Sequence, residues 1–374
     1  MKWHIYLLST LLLLAGPVWA HKASDSYLVL DVKGQQVTGQ WDIALRDIDF
    51  AIGLDADGNG EITWGELRAR HTDIEAWALR ALTLDRGGSC ALRVTQHQVD
   101  AHTDGTYAVL RLGASCPSAE GELGVNYRLL FDQDALHRGL LRLDLENITH
   151  SAIMAPDKAQ QRFSADKPSS VAQFGQFFGQ GVWHIWIGFD HILFLISLLL
   201  PVVLVREGGR WRGVGRFGEA LREVLWVVTS FTVAHSITLS LAALGWVSLP
   251  SRWVESAIAL SVVLAALNNL KPVVNRRRWL IAFVFGLIHG FGFASVLADL
   301  GLPQETLVLS LVGFNIGVEI GQLAIVAAFL PAAFYLRNTG FYRHGVFAGG
   351  SLLTLLVALV WLAERALDLK LMDF

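Results

Sequence analysis

Asp190 and His191 stand side by side in an apolar run from Ile185 to Val205. The run is long enough to cross a bilayer, where a carboxylate without a partner costs several kcal/mol. Three further apolar segments carry His235, His289 and the pair Asn315 and Glu319 near their middles. Imidazole, carboxylate and amide are ligands for Ni²⁺, Co²⁺, Zn²⁺ or Mn²⁺, whereas Cu(I) prefers thiolate and thioether. Both cysteines and all three methionines lie outside the apolar segments, which argues against Cu(I). The chemistry expected of these residues is therefore a divalent-metal site inside a membrane.

Elements must bring the residues together, and six spans can be counted: 181 to 205, 221 to 244, 251 to 270, 279 to 300, 305 to 336 and 345 to 367. The fifth is overlong and is expected to tilt or to break at Pro331. Arginines and lysines fill the connections after spans one, three and five, while those after spans two and four are nearly uncharged. Positive loops stay in the cytoplasm, so the N-terminal region and the C-terminus are expected outside. At about 1.5 Å per residue, Asp190, His191, His235, His289, Asn315 and Glu319 fall near one depth. Asn315, Glu319 and Gln322 share a helix face by their i, i+4, i+7 spacing. Thr229, Thr232, Ser236 and Thr238 read as helix residues bonded to backbone, and Asn268 and Asn269 as facing water.

His184 and His191 are seven residues apart, roughly 10 Å along a straight helix, so both cannot bind one ion there. Either Gly188 breaks the helix or His184 belongs to an outer entry site with Glu255 as a neighbour. The entry site is the expectation.

With 374 residues, 53% hydrophobic and 17% charged, the chain is too apolar for an ordinary soluble protein and too charged to lie wholly in lipid. Its net charge of −3 gives no basic field, so no nucleic-acid partner is expected. Lys2, the apolar stretch Ile5 to Ala15 and the small residues before His21 read as a secretory signal, residues 1–20, cleaved after Ala20. From 21 to 165 short stretches alternate apolar and polar residues between Gly, Asp and Asn clusters, which predicts an exported β-rich, sandwich-like antiparallel domain. One helix, Trp64 to Leu84, interrupts it. Cys90 and Cys116 both fall here, where oxidising conditions favour a disulfide. Residues 166–180 read as linker and interfacial segment, with Phe174 to Gln180 resting at the membrane surface, and 181–374 as an all-α membrane bundle.

Before the helix, Asp55 to Glu66 fills a twelve-residue EF-hand-like loop. Asp55, Asp57 and Asn59 offer side-chain oxygens, Glu61 its carbonyl, Gly60 the sharp turn and Glu66 a bidentate carboxylate. Ca²⁺ is the expected ligand, held as a structural clip because no second loop of this kind is present; an acidic turn that caps the helix is the alternative.

The segment His184-Ile185-Trp186-Ile187-Gly188-Phe189-Asp190-His191 resembles the first-helix signature of the HupE/UreJ family. Ala234-His235-Ser236, Gly286 to Gly290 and Asn315 to Glu319 resemble later segments of the same family. The resemblance covers the membrane half and implies a nickel or cobalt permease associated with hydrogenase or urease maturation, whose maturation partners it does not name. The chain differs from short members in its exported domain and in Ile185, where they often carry Pro. Two other readings use the same residues: an intramembrane zinc hydrolase with Asp190 or Glu319 as base, and a membrane cytochrome with two histidines on haem. The ceramidase-like hydrolases share the ingredients, but no His-x-x-x-His stands on a late helix. No P-loop pattern occurs, so transport would not use the chain's own ATP hydrolysis.

Overall fold

A computed structural model describes residues 24–102, 105–167, 169–274, 277–292 and 304–367. The expected leader, residues 1–20, and residues 293–300 of the fourth expected span lie outside them.

Alternation of buried and exposed residues builds the N-terminal region. β1 (Asp25–Lys33) and β2 (Gln36–Ala44) form a hairpin turned at Gly34, whose φ of 57° suits glycine. β3 (Leu82–Asp85), β4 (Arg93–His102), β5 (Gly105–Ser115), β6 (Leu123–Tyr127), β7 (Arg138–Leu145), β8 (Ile148–Met154) and β9 (Gln160–Phe163) complete two sheets. Their orders are β4-β5-β2-β1-β7-β8 and β3-β6-β9. One core joins them: Leu28, Leu30 and Trp41 from the large sheet pack with Leu84, Leu123 and Val125 from the small one. The layers are sandwich-like but not wholly antiparallel, because β1 and β7 pair in parallel. A parallel neighbour needs a long crossover, and everything from β2 to β6 supplies it. A disulfide joins Cys90 to Cys116.

The single helix expected over Trp64 to Leu84 is two helices, with a further one upstream. α1 (Leu45–Ile52) follows β2; α2 (Trp64–Ala69) and α3 (His71–Ala81) meet at a kink at Arg70. The helix stops before Leu82 because Leu82 and Leu84 are buried and Thr83 is exposed, a period of two that fits a strand.

In the C-terminal region α4 (Ser170–Ile187) and α5 (Phe189–Leu199) are bent by 70° at Gly188. A small hairpin, β10 (Leu204–Glu207) with β11 (Arg210–Gly213), leads to α6 (Phe217–Ala243) and α7 (Ser251–Leu270). α8 (Arg278–His289) and α9 (Gln304–Leu336) follow, then a π-helical stretch, Phe341–Gly349, that continues into α10 (Gly350–Leu367). Among the described residues four helices are long and apolar enough to cross a membrane, and the bent pair makes a fifth candidate. α9 does not break at Pro331 but runs on to Leu336. Neighbouring helices make a proline tolerable in such a span.

Glycines set the closest helix contacts. Gly313, Gly317 and Gly321 on α9 face α4, and a Cβ on Gly313 would lie 2.9 Å from the Phe174 carbonyl oxygen. Phe174 to Gln180 is part of α4 and packs on α9. A Cβ on Gly286 of α8 would lie 2.6 Å from the Phe231 carbonyl oxygen on α6, the close approach that small-xxx-small spacing permits. The second face of the large sheet rests on the bundle, where Tyr27, Tyr107, Leu140 and Ile153 share a core with Phe177, Leu239, Leu307 and Leu311.

Candidate metal centre

Gly188 decides where His184 stands. Its N–H still bonds the His184 carbonyl at 2.9 Å, but its ψ of 97° turns the chain out of the helix, so α5 starts in a new direction. The bend folds the roughly 10 Å separation back on itself, and the His184 and His191 rings lie 4.6 Å apart, edge to face. The entry-site expectation is corrected accordingly: His184 joins the interior cluster. Glu255, expected beside it, instead accepts a 2.7 Å bond from Ser251 and pairs with Arg365 at 3.1 Å.

Five side chains from four helices converge. Ligand atoms of His184, His191 and His235 lie within 4.8 Å of one another, and so do those of Asp190, His191 and His289. His191 belongs to both triads, and its Nδ1 is 3.1 Å from Asp190 Oδ1. His191, His235 and His289 are buried, while Asp190 and His184 are partly exposed. Phe194 and Phe231 pack against the imidazoles, with ring centroids 4.8 Å and 5.4 Å from that of His289.

Hydrogen bonds fix two of the ring tautomers. Ser261 on α7 gives its one proton to the Ile258 carbonyl at 2.6 Å, so its oxygen can only accept from His289 Nε2, 2.9 Å away. His289 Nδ1 is left as a bare acceptor, buried and without a partner. Asn315 spends its amide N–H on the Leu311 carbonyl, so its Oδ1 accepts from His235 Nδ1 at 3.4 Å and His235 Nε2 is likewise bare. Buried acceptors without donors are costly, and a cation is the group that two such nitrogens beside a carboxylate would hold. An outer partner that orients a ligating imidazole is usual in metal sites. Asn315 thus stands behind His235, and Ser261, behind His289, is a residue of the cluster's surroundings that sequence reading missed.

Glu319 lies on the same face of α9 but outside both triads. It accepts a 2.8 Å bond from Thr229, and Gln322 accepts one of 3.2 Å from Thr232. Thr229 therefore serves a side chain rather than only its own backbone, whereas Ser236 and Thr238 bond to backbone as read. Asn269 is buried, not water-facing, and ties α7 to the Ser197 carbonyl and to Ser351.

In the N-terminal region the loop from Asp55 to Glu66 closes on itself. Asp55 accepts from the N–H groups of Gly58, Asn59 and Gly60, and these bonds, that of Gly60 foremost, hold its carboxyl below the usual range. Glu66 accepts from the Thr63 N–H and hydroxyl and from the Ala56 N–H, which lowers its pKa too. Thr63 and Glu66 form a capping box on α2. Oxygens of Asp55, Asp57 and Glu66 lie within 4.8 Å of one another, so the cap and a cation site use the same groups. Asn59 turns its amide toward Asp57 at 2.9 Å, and Glu61 donates its N–H to Asn59.

A protein-family model described as HupE / UreJ protein matches residues 159–365, from the last strand of the N-terminal region to the end of α10. No curated protein matches the chain.

Proposed function

Since the chain belongs to the HupE/UreJ family, we propose that it is a permease for a divalent transition metal of the nickel or cobalt type. The observation that carries this reading is the pair of bare, buried nitrogens, His235 Nε2 and His289 Nδ1, beside Asp190 and His191. The metal is cargo: His191 binds it with Asp190 and His289 or with His184 and His235, and Asn315 orients His235. Imidazole with a single carboxylate favours Ni²⁺, Co²⁺ or Zn²⁺ over the hard cations that need oxygen cages.

In this reading the bundle has six spans in a bacterial inner membrane. The N-terminal region, freed of its leader, lies on the periplasmic side. Glu319 exchanges a proton or otherwise compensates charge as the cation passes, by way of Thr229. Ca²⁺ occupies the Asp55 to Glu66 loop with Asp57, Asn59 and Glu61 as further ligands. Metalloenzyme-maturation proteins would receive the cargo.

Reconstituted in proteoliposomes, the protein should take up Ni²⁺ or Co²⁺, and Asp190→Ala or His191→Ala should abolish uptake while expression is retained. Wild-type uptake by both variants would sink the permease reading. Ca²⁺ should raise the melting temperature of the full chain, since a ligand bound only by the folded state stabilises it. Glu66→Gln should remove that shift, and a shift that survives would move the Ca²⁺ site elsewhere. A second reading rests on the Asp190, His191 and His289 triad, because three protein ligands with an open fourth position is the arrangement of catalytic zinc. Lipid hydrolysis by the zinc-loaded protein, with no uptake, would favour it.

A further inference from the structure

The five side chains group as two triads that share one residue. Ligands of one ion lie no more than about 4.2 Å apart, twice a bond of roughly 2.1 Å. The ligand atoms of His184, His191 and His235 lie within 4.8 Å of one another, near that limit, and so do those of Asp190, His191 and His289, but the five do not form one such group. Only His191 is common to both. Its Nδ1 faces Asp190 at 3.1 Å, and its Nε2, on the other side of the ring, is buried and without a hydrogen-bond partner. Each triad has one partly exposed member, His184 or Asp190, and two buried ones.

Resting on the permease reading, we infer that the centre holds its cargo at two alternative positions, a three-imidazole position and an imidazole–carboxylate position, and that the ion passes between them across the ring of His191. The ligand sets differ in charge. The first offers three neutral nitrogens and the second adds the Asp190 carboxylate, so the second holds a divalent ion more tightly. Simultaneous occupancy is disfavoured, because two doubly charged ions one imidazole apart in a buried site repel strongly. Occupancy alternates: the ion leaves one ring nitrogen of His191 for the other, and the ring proton moves to the nitrogen that the ion has left. The partly exposed His184 is then the contact on one side of the path and Asp190 the contact on the other.

The test measures binding and uptake separately, with Co²⁺ as the probe and the full chain in detergent and in proteoliposomes. Wild type should bind one Co²⁺. His235→Ala and His289→Ala should each still bind one, His235→Ala with nearly the wild-type affinity and His289→Ala with a clear loss of affinity, and with different visible spectra because different triads survive. Neither should transport. His191→Ala, or the double variant of His235 and His289, should bind none. His235→Gln and His289→Gln repeat the comparison with less change in packing. If both single variants lose binding outright, or retain it with identical spectra and with uptake, there is one position and the inference is overturned. If wild type binds no Co²⁺, the permease reading itself fails and takes this one with it; equal responses in the two variants overturn this inference alone.

Discussion

A serine without charge decides how His289 presents itself. Because Ser261 donates to Ile258, the bond from His289 fixes the proton on Nε2 and bares Nδ1 toward the cluster. Ser261→Ala removes the acceptor, frees the ring to take the other tautomer, and should weaken Co²⁺ binding by about 10–100-fold, as loss of an outer-shell partner usually does. Titration calorimetry on the detergent-solubilised protein measures this. An unchanged affinity would mean that the ring needs no orienting partner. The clustered residues were legible in the sequence, since ionisable groups in apolar runs are conspicuous against lipid. Ser261 was not, because a lone serine in an apolar helix ordinarily bonds its own backbone. It does so here as well, and only the folded pairing exposes its second bond.

Helices were legible where apolar runs are long, and α6, α7 and α9 contain or closely match the spans read from composition. The sequence offers the bend at Gly188 only as an alternative, because a glycine in an apolar helix is common in membranes and carries no signature of its own. Packing decides the matter. A Cβ on Gly188 would meet the His184 carbonyl oxygen at 2.6 Å and His191 Nδ1 at 3.1 Å. Alanine also favours a continuous helix over glycine by roughly 0.5–1 kcal/mol. Gly188→Ala should therefore open the bend, part His184 from His191, and lower Co²⁺ affinity at least about tenfold with the helix content unchanged by circular dichroism. Retention of full affinity would show that the bend is not needed to assemble the centre. The glycine row on α9 escaped notice for a related reason. Gly313, Gly317 and Gly321 read as ordinary membrane glycines until the path of α4 across them is known.

At the scale of the whole molecule the N-terminal region is tied to the bundle by one sheet face and organised behind the other by a buried polar chain. Alternation foretold its strands but not this chain, whose members are scattered from Ser24 to His137. Trp41 can only donate and the Asp47 carboxylate can only accept, so the bonds run one way. They pass from Trp41 Nε1 to Ser26 Oγ, on to Tyr127 and His137 Nε2, then from His137 Nδ1 to Ser24 Oγ and Asp47. His137 must be neutral to serve. Burial, reinforced by the charges of Arg138 and Arg46, pushes its pKa down to about 3. An unfolded histidine titrates near 6.5, so the unfolded chain binds the proton first as pH falls. The stability His137 contributes is complete above about pH 6.5 and declines toward pH 3. Asp47 acts in the opposite sense, since burial raises its pKa and its contribution fades as pH rises above the usual carboxylate value. The net loss is thus smaller than His137 alone would give, which is on the order of 2 kcal/mol between pH 7 and pH 5. Thermal melts of the full chain across that range should fall with acid. His137→Gln should melt lower at pH 7, because it breaks the chain, and show a flatter slope, because the titrating group is gone. A slope equal to the wild type's would assign the acid sensitivity to other groups.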